Sequence, residues 1–314
     1  MLINIIPHII LSIALYYPFL TTNNSSLQPT FVPMKKQTIA VCGAGTMGSG
    51  IAQVVATAGF PTILFELNVE VLEKAKGIVD KNLQTAVEKG KLTGDEKDST
   101  LSRITFTNDL EQCKADMVIE AIIEKLAIKV QLFNQLAAIN NVDTIFASNT
   151  SSLSISAIAR EVAAPQRMAG LHFFNPAPLM KLVEVVKGEQ TDDEVVAKLI
   201  AFTKQLGKTP VLCKDAPGFI VNRVARPYYI EALRLAEAGV ADFDTMDRLM
   251  ESRGFKMGPF RLMDLIGNDV NYAVSCSVYE QLQQPERLTP SFIQKEKVEK
   301  GELGRKTKKG YYTY

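Results

Sequence analysis

The chain has 314 residues, of which 46% are hydrophobic and 22% are charged, and its formal net charge is +1. This composition predicts folded domains rather than a disordered chain, and the length is sufficient for two domains that each bury a core. A net charge so near zero gives no reason to expect a nucleic-acid partner, and four dispersed cysteines without a C-x-x-C pair predict free thiols and no metal site.

The first segment, residues 1–33, differs from the rest of the chain because it contains no Asp, Glu, Lys or Arg. The strongly apolar run that begins at Leu2 is typical of a signal peptide or a membrane anchor. However, no basic residue precedes the run, and Pro7 and Pro18 interrupt it. We favour Met34 as the natural start, with the leader outside the fold, and keep a targeting segment as the alternative. On this interpretation we expect a cytoplasmic protein with no membrane association.

The glycine-rich segment that follows has the pattern of a dinucleotide-binding loop. Residues 38–42 form an apolar run of buried-strand length, three glycines follow in G-x-G-x-x-G spacing, and a helical pattern comes next. The first glycine permits a tight turn, the second lets the backbone approach a pyrophosphate, and the third lets helix pack on strand. A glycine-rich turn in another α/β protein is the alternative. The predicted cofactor-binding positions are Gly43, Gly45, Thr46, Met47 and Gly48.

An acidic residue ends the next predicted strand, at residues 62–66. Glu66 lies about 20 residues after the second glycine, which is the spacing of the ribose-binding carboxylate in dinucleotide-binding folds. A carboxylate at this position accepts hydrogen bonds from the ribose hydroxyls and repels a 2′-phosphate. The sequence therefore predicts NAD rather than NADP as the cofactor.

Strand and helix patterns alternate as far as residue 214, which predicts a Rossmann-type, doubly wound parallel sheet with ligands at the carboxyl ends of its strands. One predicted helix, at 121–138, is expected to bury Ile128, Leu132 and Leu136, and residues 91–100 are expected to form a turn-rich connection. The other predicted strands are 104–106, 116–120, 144–148, 168–172, 182–186 and 209–213, and the other predicted helices are 68–90 and 192–206.

The pattern changes at residue 215, where strands give way to helices after the junction at Pro217 and Gly218. The chain is therefore expected to contain the leader, a nucleotide-binding domain at 34–214 and an all-helical domain at 215–314. The apolar pattern of the helical domain also predicts a homodimer. The expected helices are 218–238, 242–253, 259–284 and 290–300.

One histidine outside the leader, His172, ends a predicted strand and is the candidate acid/base. Oxidation of an alcohol requires removal of the hydroxyl proton, and imidazole suits this task because its unperturbed pKa is about 6.5. Glu184, in the next predicted strand, would fix the ring orientation and stabilise the imidazolium. The alternatives are a structural histidine and a glutamate that pairs with a lysine.

The chain contains six separated blocks: GAGTMGSGIAQ, SNTSSL, GLHFFNPAPLMKLVEVV, CKDAPGFIVNR, GFKMGPFRLMDLIG and GRKTKKGYYTY. In order and spacing, these blocks resemble the L-3-hydroxyacyl-CoA dehydrogenase family. The resemblance covers residues 37–314, and within the family the chain is most similar to the short-chain bacterial 3-hydroxybutyryl-CoA dehydrogenases. It implies a reversible, NAD-linked oxidation of an L-3-hydroxyacyl-CoA to the 3-ketoacyl-CoA, and a homodimer formed through the helical domain.

The resemblance also implies roles for individual residues. His172 matches the catalytic base and Glu184 its carboxylate partner, while Ser151 and Asn222 match residues that hold the 3-oxygen of the substrate. Helix capping is the alternative for both of these polar residues. Lys89 is a candidate substrate-binding residue, although the pattern favours a solvated helix face for each lysine of that stretch taken singly. Cofactor-contacting positions are Glu124, Asn175, Lys306 and Lys129, the last of which could instead be a surface charge.

Three positions depart from the family pattern. Glu66 stands where the family usually has Asp, which keeps the charge and lengthens its reach. Lys125 replaces an Asn that usually follows the Glu124 position. Lys308 replaces the glycine of the family's KTG turn, and a positive φ there would cost a lysine about 1–2 kcal/mol.

Two other functions remain open on the sequence. A dehydrogenase of free β-hydroxy acids is the first alternative, but enzymes of that type use a lysine as acid/base, which leaves the block around His172 unexplained. A non-enzymatic, crystallin-like NAD-binding protein is the second, and such a protein has no need of an acid/base pair.

Overall fold

The computed structural model describes residues 37–314, which form two compact units. The boundary falls between Arg223 and Val224, so that a sheet unit precedes it and a helical unit follows it. The expected leader, residues 1–33, lies outside the described residues. No helix in the described part of the chain is long and apolar enough to cross a membrane.

The sheet unit, residues 37–223, is built on one sheet of eight short strands. They are β1 (Ile39–Cys42), β2 (Thr62–Phe65), β3 (Ile104–Thr107), β4 (Met117–Glu120), β5 (Ile145–Ser148), β6 (Met168–Phe173), β7 (Leu182–Lys187) and β8 (Thr209–Lys214). Their order across the sheet is β3-β2-β1-β4-β5-β6-β7-β8, and the first six all run parallel. The carboxyl ends of these six strands therefore meet at one edge.

The last two strands reverse direction, because β7 pairs antiparallel with β6 and β8 pairs parallel with β7. The sheet is therefore mostly parallel, and the reversal has a local consequence. The antiparallel register places Glu184 directly opposite His172. Opposed residues of an antiparallel pair share a face of the sheet, with Cβ atoms about 4.5–5.5 Å apart.

Helices pack on both faces of the sheet. Those that end before the boundary, within residues 37–223, are α1 (Thr46–Thr57), α2 (Val69–Glu88), α3 (Gly94–Ser102), α4 (Leu126–Ile139), α5 (Ile155–Ala159) and α6 (Asp193–Gln205). One apolar core includes Ile51 of α1, Leu83 of α2 and Phe202 of α6. The other includes Phe133 of α4 and Ile158 of α5. These two cores and the mostly parallel sheet confirm the predicted doubly wound architecture.

Two expectations for the sheet unit are wrong. The expected connection at 91–100 is largely helical, because Thr93 and Glu96 form a capping box in which each side chain bonds the other's backbone amide. The polar composition of α3 hides its helical period. In α4, Ile128 is 41% exposed, whereas Val130 and Phe133 are buried. Leu132 and Leu136 are buried as expected, so the expectation for this helix fails only at Ile128.

The helical unit contains the five helices that follow the sheet, the first of which begins just before the boundary. They are α7 (Val221–Glu237), α8 (Phe243–Ser252), α9 (Pro259–Ile266), α10 (Asn268–Gln281) and α11 (Phe292–Glu299). The expected single helix at 259–284 is wrong, because Gly267 has φ 104° and divides it into α9 and α10. Tyr229, Leu233 and Phe260 belong to the core of this unit.

A buried carboxylate in α9 anchors the C-terminal segment of the helical unit. Asp264 is 1% exposed and accepts hydrogen bonds from the backbone amides of Tyr311 and Tyr312, both at 3.0 Å. The turn that leads into this segment contains Lys308 with φ 58°, in the left-handed region. The segment is therefore held in place, and the lysine must adopt the backbone conformation that glycine adopts without strain.

We predict that Lys308→Gly raises the thermal stability of the protein. Relief of the left-handed strain is worth about 1–2 kcal/mol, and the greater freedom of glycine in the unfolded chain removes about 0.4–1 kcal/mol of that gain. A net gain of about 1 kcal/mol should appear as a higher Tm in a thermal melt. Lys309→Gly is the control, because Lys309 is not among the residues with positive φ, and it should leave Tm unchanged or lower it. A lower Tm for Lys308→Gly would contradict the prediction.

Candidate active site

The glycine loop between β1 and α1 is shaped for close approach. Gly43 has φ 100°, and a Cβ at this position would lie 2.6 Å from the carbonyl oxygen of Ala121. A Cβ on Gly48 would likewise overlap the Gly43 carbonyl, so neither position has room for a side chain. By contrast, Gly45 and Thr46 are exposed where α1 begins. The first amides of α1 are thus open to an anion, and these residues fit a dinucleotide pyrophosphate.

Glu66 joins the end of β2 to the glycine loop. Its Oε2 accepts the backbone N–H of Ala44 at 3.0 Å, and its Oε1 accepts the N–H of Asn68 at 3.1 Å. A carboxylate can accept about four hydrogen bonds, so each oxygen retains capacity for a ribose hydroxyl. The carboxylate therefore orders the loop and remains able to bind a sugar.

The pair formed by His172 and Glu184 lies at the junction of β6 and β7. His172 Nδ1 lies 2.7 Å from Glu184 Oε2, and the two residues are only 4% and 1% exposed. The other carboxylate oxygen, Oε1, accepts the backbone N–H groups of Ile220 and Val221, both at 2.9 Å. These amides lie at the start of α7, where the helix dipole favours a negative charge. The buried carboxylate is therefore stabilised from two sides.

Ser151 completes a line of hydrogen bonds through the imidazole. Its Oγ lies 3.1 Å from His172 Nε2. An ionised Glu184 can only accept, so the network assigns the proton of the neutral ring to Nδ1 and leaves Nε2 as an acceptor. Asn222, in the first turn of α7, donates from Nδ2 to the backbone oxygen of Ser151 at 3.4 Å. The fold thus brings Ser151, His172, Glu184 and Asn222 together from four separate segments.

The sequence left alternative roles open for Ser151 and Lys129, and the geometry can be compared with both. The side chain that caps α5 belongs to Ser154, so Ser151 does not serve as that cap. Lys129 is 1% exposed, and its Nζ lies 2.5 Å from Glu120 Oε1 and 3.0 Å from Glu124 Oε2. It is therefore a buried ion-paired residue and not a surface charge.

Two other candidate cofactor contacts lie in different environments. Asn175 is exposed just after β6, where a cis peptide bond joins it to Pro176. Lys306 belongs to the helical unit, and its Nζ lies 2.6 Å from both carboxylate oxygens of Asp269. The ammonium group of Lys306 therefore already has an anionic partner within its own unit.

Several groups at the site were not recognisable from the sequence. The amides of Ile220 and Val221 hold Glu184, but a backbone amide has no side-chain signature, and only the start of α7 could have indicated them. Thr150 and Ser152 bond Glu124, and both lie in the SNTSSL block beside the residue that the resemblance singles out. Their contribution depends on a turn that a polar run alone does not specify.

A cavity of about 740 Å³ opens between α1, α2 and the segment after β6. Lys89, Lys91 and Lys208 contribute positive charge to its wall, and Val54 and Leu179 contribute apolar surface. Lys208 Nζ donates to the backbone oxygens of Ala177 and Met180 at 2.6 and 2.7 Å, and burial lowers the pKa of its ammonium group, with Lys181 acting in the same direction. The cavity suits a ligand with both anionic and apolar parts.

No group of three or more His, Cys, Asp or Glu side chains within residues 37–314 is arranged to hold a metal ion. All four cysteines are free thiols. A hydrogen bond with Cys113, together with burial, raises the pKa of Cys42, the last residue of β1, well above its ordinary value. A thiol in this state is a poor nucleophile.

Two family models cover nearly all of the described chain. The model of the 3-hydroxyacyl-CoA dehydrogenase NAD binding domain matches residues 38–216. The model of the 3-hydroxyacyl-CoA dehydrogenase C-terminal domain matches residues 218–314. The predicted family and the predicted NAD cofactor are thereby confirmed.

Individual relatives agree with this family. The chain is 49% identical over 280 residues to 3-hydroxyadipyl-CoA dehydrogenase of Escherichia coli. The aligned region covers 88% of this chain but only 59% of that protein. It is 42% identical over 276 residues to a probable 3-hydroxybutyryl-CoA dehydrogenase of Deinococcus radiodurans, covering 87% of this chain and 99% of that protein. The crystal structure of (S)-3-hydroxybutyryl-CoA dehydrogenase from Ralstonia eutropha superposes with a TM-score of 0.85 at 38% identity, covering 89% of this chain and 99% of that chain. The chain therefore belongs to the 3-hydroxyacyl-CoA dehydrogenase family of NAD-dependent oxidoreductases.

Proposed function

We propose that this protein catalyses the reversible, NAD-linked oxidation of an L-3-hydroxyacyl-CoA to the 3-ketoacyl-CoA, with His172 as the acid/base and Glu184 as its orienting partner. The observation that carries the proposal is the continuous hydrogen-bonded line from Ser151 Oγ through both ring nitrogens of His172 to Glu184. A hydroxyl oxygen lies at hydrogen-bonding distance from Nε2, so the 3-hydroxyl of a substrate can occupy an equivalent position.

The proposed proton transfer uses the state of the ring that the network stabilises. In oxidation, Nε2 of neutral His172 accepts the hydroxyl proton, and the adjacent carboxylate of Glu184 stabilises the imidazolium that forms. In reduction, the imidazolium returns this proton to the 3-oxygen. NAD, when bound, supplies the acceptor for the hydride that leaves the same carbon. Ser151 and Asn222 would hold the 3-oxygen, because hydroxyl and amide donors stabilise its developing negative charge.

The proposed substrate is a short-chain acyl-CoA such as 3-hydroxybutyryl-CoA. The names of the Deinococcus and Ralstonia relatives support this choice, whereas the Escherichia coli relative is named for a dicarboxylic acyl-CoA. A series of kcat/KM values for 3-hydroxybutyryl-, 3-hydroxyhexanoyl- and 3-hydroxyadipyl-CoA would decide between them. A preference for the dicarboxylic compound would overturn the short-chain assignment.

The proposal extends to the binding of coenzyme A and to assembly. Lys89 and its neighbours on the cavity wall would hold the phosphates of coenzyme A. We also propose a cytoplasmic homodimer, although the names of other relatives include the word mitochondrial. Exposed apolar residues of the helical unit, including Val240, Leu249 and Phe292, support an interface there. A monomeric mass by light scattering would rule out the dimer.

The two alternative functions are distinguishable by one assay. Oxidation of NADH, followed by its absorbance, is expected with acetoacetyl-CoA and not with free acetoacetate. A dehydrogenase of free acids would give the opposite result, and a crystallin-like protein would turn over neither. The buried and fully hydrogen-bonded pair of His172 and Glu184 favours the enzyme, because a binding protein has no need of it.

We predict that His172→Gln lowers kcat by about 10²–10⁴, the usual contribution of general acid–base catalysis. NADH affinity should change little, because the glycine loop and Glu66 do not contact this side chain. Oxidation needs the neutral ring as proton acceptor and reduction needs the imidazolium as proton donor, so the variant should lose turnover in both directions. Glu184→Gln should lower kcat less. Near wild-type turnover of the His172→Gln variant would rule out His172 as the acid/base.

We predict that Glu66→Gln specifically improves the use of NADPH. The amide oxygen can still accept the Ala44 N–H, but repulsion of the 2′-phosphate is lost, and two charges about 4 Å apart repel by about 1–4 kcal/mol. The kcat/KM for NADPH should therefore rise about tenfold or more, while that for NADH falls. Glu70→Gln, an exposed carboxylate nearby in α2, is the control and should change neither value. Equal use of both cofactors by the wild type would show that the carboxylate does not face the ribose.

We predict that Lys89→Ala weakens binding of coenzyme A thioesters selectively. Loss of one charge-assisted hydrogen bond, worth about 1.5–3 kcal/mol, should raise KM for acetoacetyl-CoA about tenfold or more. The truncated substrate acetoacetyl-N-acetylcysteamine lacks the phosphates, so its kcat/KM should not change. Lys81→Ala, in α2 but outside the cavity wall, is the matched control. Equal losses with both substrates would exclude a role in phosphate binding.

A further inference from the structure

A cluster of three ionisable side chains lies at the carboxyl end of β4, where Lys129 and Glu120 are buried and the Glu124 side chain is 39% exposed. Lys129 Nζ lies between Glu120 Oε1 and Glu124 Oε2, at 2.5 and 3.0 Å. Glu120 is fully buried and also accepts from Ser148 Oγ at 2.6 Å and from the Ile122 amide at 2.7 Å. An ammonium group at this depth is very unfavourable without such partners. The buried ammonium of Lys129 therefore depends on its carboxylate partners, and the fully buried Glu120 depends on Lys129.

Glu124 divides its two oxygens between this cluster and a turn. Oε2 faces Lys129, while Oε1 accepts the Thr150 hydroxyl, the Ser151 amide at 3.2 Å and the Ser152 hydroxyl at 2.8 Å. Burial opposes the charge on Glu124, yet Lys129 and the hydroxyls of Thr150 and Ser152 outweigh it and lower the pKa of the carboxyl. The charged form that binds all these donors is therefore the favoured one.

The turn extends this hydrogen-bond network to the imidazole of His172. Thr150 Oγ1 accepts the amides of Ser152 and Leu153 at 3.2 and 2.9 Å, so the turn is closed internally. Ser151 lies between Thr150 and Ser152, and its Oγ lies 3.1 Å from His172 Nε2. A rotation of Glu124 would release donors on either side of Ser151 at once.

We propose that Lys129 is a positioning residue for Ser151: by holding Glu124 in one orientation, it fixes the turn that sets the Ser151 hydroxyl against His172. This differs from the cofactor contact that the sequence resemblance implies for Lys129, because its ammonium is enclosed by two carboxylates. The proposal rests on the proposed function in its assumption that Ser151 and His172 serve the reaction.

The test uses a pair of substitutions that keeps the charge of the cluster unchanged. Lys129→Met alone leaves the fully buried Glu120 carboxylate without its cationic partner and could prevent folding, so it is combined with Glu120→Gln. Both changes keep side-chain size, and Glu124 remains as the single charge. Lys125→Met is the matched control, because Lys125 is an exposed lysine at the start of the same helix.

The first readout is the nitrogen NMR signal of His172 in the cofactor-free protein. The chain has two histidines, so His172→Gln assigns the signals. In the double variant the Nε2 signal should move toward that of Ser151→Ala, while the Nδ1 signal, which reports the Glu184 bond, stays in place. An unchanged Nε2 signal would overturn the proposal. This readout does not depend on catalysis, so it stays informative even if His172→Gln were to retain turnover and the proposed function failed.

Kinetics provide the second readout. The double variant should lose about 10- to 100-fold in kcat, the scale expected from misplacement of a reacting group, while the Kd for NADH changes less than about twofold. In a Ser151→Ala background the same two substitutions should lower kcat less than about twofold further, because they act through Ser151. A large loss of NADH affinity with unchanged kcat, or equal kcat losses in both backgrounds, would show that Lys129 acts directly on the cofactor or by another route.

Discussion

The structure of the site depends on the need to surround one buried carboxylate with donors. Glu184 is 1% exposed, and an ionised carboxylate in that environment is stable only if both oxygens are bonded. The antiparallel pairing of β7 with β6 places the imidazole of His172 beside this carboxylate, and the start of α7 supplies two backbone amides. Strand direction, helix position and ring orientation are therefore fixed by the same group.

A one-residue slip between β6 and β7 shows how strict this constraint is. Because side chains alternate faces along a strand, such a slip would move Glu184 to the opposite face from His172. The amides of α7 would then face an apolar side chain, and their lost bonds would add to the penalty. The pairing register is thus determined by polar groups as well as by the hydrophobic pattern of the strands.

Much of the sheet unit could be predicted from the sequence, because apolar runs of strand length and glycine spacing are local signals. The glycine loop, Glu66 and the strand that ends at His172 are of this kind. The reversal of β7 could not be predicted, since Leu182–Lys187 is equally apolar in either direction. Helix α3 was missed because polar residues conceal its period, and the break at Gly267 was missed because apolar residues continue across it.

Partners far apart in the sequence were beyond local reasoning for the same physical cause. Lys129 has the residue type and position of a surface lysine, and only the fold shows that two carboxylates enclose it. The resemblance to a known family named candidate residues for the site, but it did not indicate which of them contact one another. Burial and hydrogen-bond geometry are properties of the folded chain.

The anchoring of the C-terminal segment by Asp264 has a consequence for synthesis in the cell. The Tyr311 amide that bonds this carboxylate lies 47 residues later in the chain. At about 5–20 residues per second, the ribosome makes these two groups roughly 2–10 seconds apart. During that interval α9 carries an apolar face and a carboxylate without the C-terminal amides that bond it, while every residue of the sheet unit has already been made. The helical unit is therefore the later of the two to complete its core and the one more exposed to premature association.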